Sequence, residues 1–189
     1  MIVCSIKNIS KFFVFARILV NLFIFIYFLY RREPYQNHLP EDEQHDLISA
    51  YFERLTRGDV EIRRAAAKEW TRWEMATSRL FPDPEYLDKA EDLDFAVAFA
   101  RIECHYFING IFVEDGHILN NCNHITHIPT TIVQGRYDMV CPTVSAWELH
   151  KQLPNSRLII VPDAGHSMGE TSIARELVAA TDNLLRMVN

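Results

Sequence analysis

The stretch from Pro129 to Met168 constrains the fold of this chain more than any other part of its sequence. A β-branched run ends at Gly135 and is followed by Asp138, and a second apolar run, Leu158 to Val161, is followed by His166. Between the two runs, apolar residues recur at the spacing of a helix: Val144, Trp147, Leu149 and Leu153. The pattern predicts a βαβ unit with parallel strands, and Asp138 and His166 on the loops at the carboxyl ends of those strands.

Two short motifs in this unit carry a family resemblance. Ile-Val-Gln-Gly-Arg-Tyr-Asp ends at Asp138, and Ala-Gly-His-Ser contains His166. With them, residues 34 to 189 resemble the C-terminal half of the proline iminopeptidases, serine peptidases of the α/β-hydrolase fold. The resemblance implies an α/β fold in which a helical cap precedes the last two parallel strands and helices of the hydrolase. The predicted segments are 1–33, an apolar N-terminal helix; 34–118, the helical cap; and 119–189, the C-terminal α/β-hydrolase segment.

The resemblance implies an aminopeptidase that releases N-terminal proline from peptides, with Asp138 and His166 as members of a Ser-His-Asp triad. In such a triad the imidazole takes the proton of the nucleophile, and the carboxylate orients the imidazole and stabilises the imidazolium. An aspartate after a strand is also common in turns and helix caps, so that alternative stays open for Asp138. Because the nucleophilic serine of the family lies upstream of this half, we expect the chain alone to be inactive.

A formal G-x-S-x-G motif runs from Gly165 to Gly169 and offers Ser167 as a nucleophile. A nucleophile elbow requires the strand to run straight into the turn, but residues 162–164 intervene here. No histidine follows the motif to serve as the base. We therefore reject Ser167 as the nucleophile and interpret the motif as the loop that carries His166.

Two glutamates are candidates for substrate binding. Glu74 ends Trp-Thr-Arg-Trp-Glu, and Glu103 lies in Ala-Arg-Ile-Glu-Cys-His-Tyr-Phe. Both segments resemble the cap motifs whose glutamates hold the free amine of the substrate, and two carboxylates in a partly dry pocket suit a cationic N-terminus. The alternative is a solvated helix face with Arg72 or Arg101 as ion-pair partner.

Cys141 follows Asp138 by three positions, and the resemblance implies a thiol near the site at that place. A cysteine nucleophile has no supporting sequence context.

Cys122, His124 and His127 lack a second ligand cluster, so we expect no metal and no cofactor. The net charge of −6 gives no reason to expect nucleic acid. The expected partner is a peptide with N-terminal proline, and the oligomeric state stays open.

From Pro34 to about Gly110, apolar residues recur at helical spacing in three stretches. The first is predicted to open at Pro40, with acidic residues in its first turn, and to end near Gly58. Asp59 is predicted to cap the second helix, and the third carries apolar residues from Phe95 to Phe107.

Residues 12–30 form an apolar run that only Arg17 and Asn21 interrupt. The run has about the length of a membrane-spanning helix, roughly 20 residues. No small-residue cleavage site follows it, which favours an uncleaved anchor over a secretory signal. A gene-model artefact and a buried helix are the open alternatives. The family resemblance implies a cytoplasmic protein, whereas a real anchor implies a membrane-associated one. The alternative function is a non-catalytic, membrane-tethered fragment with a binding or interaction role.

Overall fold

The computed structural model describes residues 32–81 and 83–188, and the chain divides there into two compact units. The helical unit comprises residues 32–77 and 81–114. The α/β unit comprises Ser78–Leu80 and residues 115–188. The three segments predicted from the sequence stay a prediction.

The predicted membrane-spanning helix at residues 12–30 lies outside the described residues. Among the residues that are described, no single helix has the length and apolarity to cross a bilayer. One pair of helical segments, Leu93–Ile108 and Gly110–Asn120, meets both criteria together but is bent by 74°.

The helical unit contains three long helices, α1 (Leu47–Arg57), α2 (Val60–Thr77) and α3 (Leu93–Ile108). Residues 32–37 are also helical. Short helical turns cover Glu41–Glu43, Pro84–Leu87, Asp88–Glu91 and Gly110–Phe112. The predicted third helix is confirmed by α3.

Each long helix of this unit begins behind an aspartate cap. The side chain of Asp46 accepts the Ser49 N–H, that of Asp59 accepts two N–H groups in the first turn of α2, and that of Asp92 accepts the Phe95 N–H. The predicted cap at Asp59 is confirmed.

The predicted start of the first helix at Pro40 is wrong. Residues Glu41–Glu43 form an isolated 3₁₀ turn, and α1 begins at Leu47. The cap explains the difference, because the Asp46 side chain satisfies a backbone donor of the first turn of α1.

Small residues and large aromatic rings together form the core of the helical unit. Ala66 and Ala67 of α2, and Ala96 and Ala100 of α3, are fully buried, which lets the helix backbones approach closely. The largest core side chains are the aromatic residues Tyr35, Tyr51 and Trp70.

The α/β unit is built on two parallel strands, β1 (Thr130–Gly135) and β2 (Ser156–Val161). They pair in register from Thr130 opposite Ser156 to Gly135 opposite Val161. Helix α4 (Thr143–Gln152) connects them, and α5 (Thr171–Val188) follows β2. Shorter helical turns cover His117–Asn120 and Cys122–Ile125. The predicted βαβ unit is confirmed.

Each face of this small sheet packs against one helix. Ile132 lies in a cluster with Ala146 and Leu149 of α4, and Val161 lies in a cluster with Ile173 of α5. A sheet of only two strands is expected to leave Ile132, Val133, Ile159 and Val161 poorly covered. That expectation is wrong for Ile132 and Val161, which are 1% and 2% exposed, because α4 and α5 cover opposite faces.

The inward face of α4 differs from the face that the sequence pattern indicated. Val144 and Trp147 are exposed, whereas Ala146 and Leu149 are buried against the sheet. The helix begins at Thr143, and its phase turns the large indole outward while the small alanine packs on the strands.

Candidate active site

Four donors converge on the carboxylate of Asp138, which lies on the loop after β1. Its Oδ1 accepts the backbone N–H groups of Val140 at 3.0 Å and Cys141 at 2.7 Å. Its Oδ2 accepts the Gln134 side-chain amide at 3.1 Å and His166 Nδ1–H at 3.0 Å. Asp138 is also 8% exposed, so its orientation is fixed by hydrogen bonds inside the protein. The loop therefore presents a fully engaged carboxylate to one histidine.

His166 lies on the loop between β2 and α5, and its side chain is 11% exposed. Burial alone lowers the pKa of His166, but hydrogen bonds to Asp138 and Cys141, and their negative charge, raise it to about 10. The surroundings therefore favour the imidazolium over the neutral ring. The predicted meeting of Asp138 and His166 at the carboxyl ends of the strands is confirmed by the 3.0 Å distance between Nδ1 and Oδ2.

The two loops meet through a close backbone contact at Gly135. A Cβ atom added to Gly135 would lie 1.8 Å from the carbonyl oxygen of Gly165. Nearby, Arg136 N–H donates to the Val161 carbonyl at 2.8 Å, and Tyr137 N–H donates to the Ala164 carbonyl at 3.0 Å. A side chain at position 135 is therefore incompatible with the approach that brings Asp138 and His166 together.

Gln134 is a site residue that sequence reasoning did not single out. Its side-chain amide donates to Asp138 Oδ2 and to the carbonyl oxygens of Gly135 and Cys141. From its position in β1, Gln134 thereby fixes the loop that carries Asp138. The signal was an amide side chain near the end of an otherwise β-branched run, within the motif that carries the family resemblance.

The structure places Cys141 beside the acidic and imidazole groups. Its backbone N–H donates to Asp138, and its side chain contributes to the raised pKa of His166. The side chain is half-buried. The side chains of Asp138 and Cys141 therefore both favour the protonated imidazole.

Ser167 follows His166 in an irregular segment. Strand β2 ends at Val161 and α5 begins at Thr171, so residues 162–170 separate the strand from the helix. The Ser167 hydroxyl accepts the Gly169 N–H at 3.2 Å. This geometry agrees with the rejection of the formal G-x-S-x-G motif, because a nucleophile elbow is a sharp strand-to-helix turn.

In the helical unit, Glu103 is 8% exposed, and its carboxylate contacts the aromatic side chain of Trp70. Its Oε2 accepts the indole N–H of Trp70 at 3.0 Å. Trp70 in turn packs edge-on against Tyr51 and tilted against Phe107. The alternative of a solvated helix face is wrong for Glu103, because burial removes that carboxylate from water.

Glu74 lies on α2 and is half-buried. Burial raises the pKa of Tyr35 well above its usual value, and the charges of Tyr51, Cys104, Glu74 and Glu103 raise it further. Both glutamates are therefore near enough to one phenol to act on it electrostatically. Arg72, the alternative ion-pair partner of Glu74, forms ion pairs with Glu69 and Glu91.

Cys122, the cysteine of the candidate metal site, has a different partner. The Cys122 thiol is buried and donates to the Ile118 carbonyl at 3.1 Å. In residues 32–81 and 83–188, no group of three or more His, Cys, Asp or Glu side chains has the geometry of a metal site.

A family model described as the alpha/beta hydrolase fold matches residues 17–172. A probable proline iminopeptidase of Leptolyngbya boryana is 58% identical over 81% of this chain and 48% of its own length. A proline iminopeptidase of Arabidopsis thaliana is 52% identical over 80% of this chain and 40% of its own length.

Among solved structures, an esterase from Exiguobacterium antarcticum aligns with a TM-score of 0.42 at 20% identity, over 76% of this chain and 47% of that chain. The chain spans about half the length of the curated relatives that it matches.

Proposed function

The chain belongs to the α/β-hydrolase fold family, and from that premise we propose that it carries the acid-base pair and the amine-binding carboxylates of a serine aminopeptidase that releases N-terminal proline. The observation that carries the proposal is the Asp138 carboxylate held 3.0 Å from His166 Nδ1 by three further donors. The relatives named proline iminopeptidase support the choice of peptide substrate.

In the proposed reaction His166 is the general base. Because Nδ1 faces Asp138, Nε2 is the nitrogen left to take the proton of a serine hydroxyl and later to give it to the leaving amine. Asp138 orients the ring and stabilises the imidazolium that forms after the first proton transfer. Only the neutral ring can accept that proton, so the raised pKa of His166 means that turnover is expected to rise with pH as the imidazolium loses its proton.

Glu74 and Glu103 are proposed to bind the protonated amine of the substrate N-terminus. A cation entering among the aromatic rings loses its water, and only a charged partner compensates for that loss. Glu103 is already buried and oriented by the Trp70 indole, so little ordering is required when the amine binds. A blocked N-terminus lacks the positive charge and is expected to bind poorly.

Cys141 is proposed to lie near the substrate without acting as the nucleophile. Its backbone N–H holds Asp138 and its side chain influences the pKa of His166, so a group attached to the sulfur is expected to disturb this pair. The nucleophilic serine is proposed to belong to the part of the relatives that this chain does not match.

The proposal is tested with a chimera that joins residues 34–189 to the remaining upstream half of the Leptolyngbya boryana relative. We expect the chimera to hydrolyse proline anilide and the 189-residue chain alone to be inactive, since His166 needs a serine hydroxyl to act on. A chimera with His166→Ala is the matched inactive control. N-acetylated proline anilide tests amine recognition, and a simple acyl ester tests an esterase.

Three outcomes would contradict parts of this proposal. Equal turnover of free and acetylated substrate would reject the role of the glutamates. Preference for the acyl ester over proline anilide would replace the aminopeptidase with an esterase. Activity of the chain alone that disappears in Ser167→Ala would make Ser167 the nucleophile.

A further inference from the structure

The loop that carries His166 has no regular secondary structure, yet its backbone is tied down on one side by a distant segment. The N–H groups of His166 and Ser167 both donate to the Ser78 carbonyl, at 3.0 and 2.7 Å. Ser78 belongs to Ser78–Leu80, the short piece of chain that forms part of the α/β unit. The position of the imidazole therefore depends on how Ser78–Leu80 and the loop are held together.

One carboxylate bridges these two pieces of backbone. Glu170 Oε1 accepts the Gly165 N–H at 2.8 Å, and its Oε2 accepts the Leu80 N–H at 3.2 Å. The backbone of Glu170 is engaged as well, because its N–H donates to the Ser167 carbonyl and its carbonyl accepts the Ala174 N–H at the start of α5. Glu170 thus connects the helix start, the loop and Ser78–Leu80.

Close packing at Gly165 restricts movement of the loop that carries His166. A Cβ atom added there would lie 2.9 Å from the Leu80 nitrogen and 3.3 Å from Glu170 Oε1. On the other side, the Gly165 carbonyl fills the space that a side chain at Gly135 would need. Gly165 is therefore clamped between β1 and Ser78–Leu80, one residue before His166.

We propose that Glu170 is a positioning residue for His166, which acts by accepting the Gly165 and Leu80 N–H groups and thereby fixing the loop that carries the imidazole. The role rests on the proposed function of His166 as general base. An ionised carboxylate suits it because both oxygens accept, and hydrogen bonds with a charged acceptor are about twice as strong as neutral ones.

The test compares Glu170→Gln and Glu170→Ala in the full 189-residue chain with Glu176→Gln. Glu176 lies in α5, the helix that follows Glu170, and pairs with Arg175. Glutamine keeps the shape of the side chain but has only one acceptor oxygen, so one of the two N–H groups loses its partner. The readouts are amide hydrogen exchange at Gly165 and Leu80 and the NMR titration of His166.

We expect faster exchange at both amides in the Glu170 variants and a downward shift of the His166 titration by about one pH unit, as the contact with Asp138 loosens. Glu176→Gln should change neither readout. If Glu170→Ala unfolds, the conservative Glu170→Gln decides. Faster exchange with an unchanged His166 titration would reduce Glu170 to a structural role and overturn the proposal.

Kinetics of the chimera separate this inference from the proposed function. Glu170→Gln should lower kcat about 10- to 100-fold with KM nearly unchanged, because small misplacement of a catalytic group is costly. An active chimera whose kcat is insensitive to Glu170→Gln would contradict the positioning role. An inactive parent chimera would reject the proposed function, while the His166 titration in the 189-residue chain would still decide the role of Glu170.

Discussion

The α/β unit and the helical unit both bury carboxylates, but they orient them by different means. In the α/β unit, Asp138 accepts two backbone N–H groups, one side-chain amide and one imidazole, all from loop or strand-end residues. In the helical unit, Glu103 projects from the middle of α3, and the indole of Trp70 on α2 donates to it. One carboxylate is held by local backbone and the other by side-chain packing between helices.

The difference predicts how each region responds to substitution. Backbone donors around Asp138 lie within a few residues of it, so the loop forms with the strand and survives changes on its surface. The environment of Glu103 depends on a contact between residues separated by 33 positions in the chain. We therefore expect substitutions in the α/β unit to affect mainly kcat, and substitutions in the helical unit to affect mainly substrate binding.

The largest expected effect is on turnover. In the active chimera, Asp138→Asn should lower kcat by about 10⁴-fold, the loss expected when a triad carboxylate no longer sets the tautomer of its histidine. Asp163→Asn, on the exposed part of the His166 loop, is the control and should change kcat little. A similar kcat for both variants, measured with proline anilide, would remove Asp138 from the proposed site.

The same contrast indicates which structural features can be predicted from the sequence. Strand ends, the βαβ order and the pairing of Asp138 with His166 were predictable because strands, turns and their carboxyl ends follow local signals. The start of α1 was missed because Asp46 caps a later turn than the acidic stretch suggested. The outward orientation of Trp147 was missed because it depends on where α4 begins.

Other features could not be predicted from the sequence, because they depend on tertiary contacts between distant parts of the chain. The burial of Glu103 depends on the packing of α2 against α3, and only the family resemblance drew attention to it. The contact between Gly135 and Gly165, and the bridge from Glu170 to Leu80, join distant positions of the chain. Such contacts arise from packing, and spacing in the sequence does not encode them.

Two glycine substitutions test the rigidity of the two units. Gly135→Ala should lower the free energy of unfolding by about 3 kcal/mol, since the new methyl group collides with the Gly165 carbonyl and backbone must move. Gly110→Ala in the helical unit should lower it by about 1 kcal/mol, because the position has φ +59° but open space around it. Urea unfolding gives both values, and equal costs would contradict the tight contact at Gly135.

In the helical unit, Glu103→Gln should impair substrate binding more than folding. The amide oxygen still accepts the Trp70 indole N–H, but the charge that attracts an ammonium is lost. We expect kcat/KM of the chimera for proline anilide to fall roughly 30- to 150-fold, equivalent to about 2 to 3 kcal/mol for a charged hydrogen bond. Glu53→Gln, in an exposed pair with Arg57, is the control. An unchanged kcat/KM for Glu103→Gln would exclude its proposed role.

The smallest predicted effect is a pH dependence of opposite sign in the two units. Burial lowers the pKa of His166, but Asp138 and Cys141 raise it to about 10, above the value of about 6.5 expected in the unfolded chain. A raised folded pKa means that the stabilising contribution is complete below about pH 6.5 and is lost as pH rises toward about 10.

His38 in the helical unit should behave in the opposite way. Burial lowers its pKa, Glu69 opposes that effect, and Arg54 adds to it, so the neutral ring is favoured in the folded chain. Its contribution is therefore present above about pH 6.5 and is lost as pH falls below that value.

NMR titration of the two imidazoles measures both pKa values in one sample, and hydrogen exchange in each unit reports the stability change. Asp138→Asn should lower the pKa of His166 without changing that of His38, because burial is then the largest remaining influence on His166. If both rings titrate with the usual histidine pKa of about 6.5, neither environment favours one protonation state. The predicted difference in pH dependence between the two units would then be wrong.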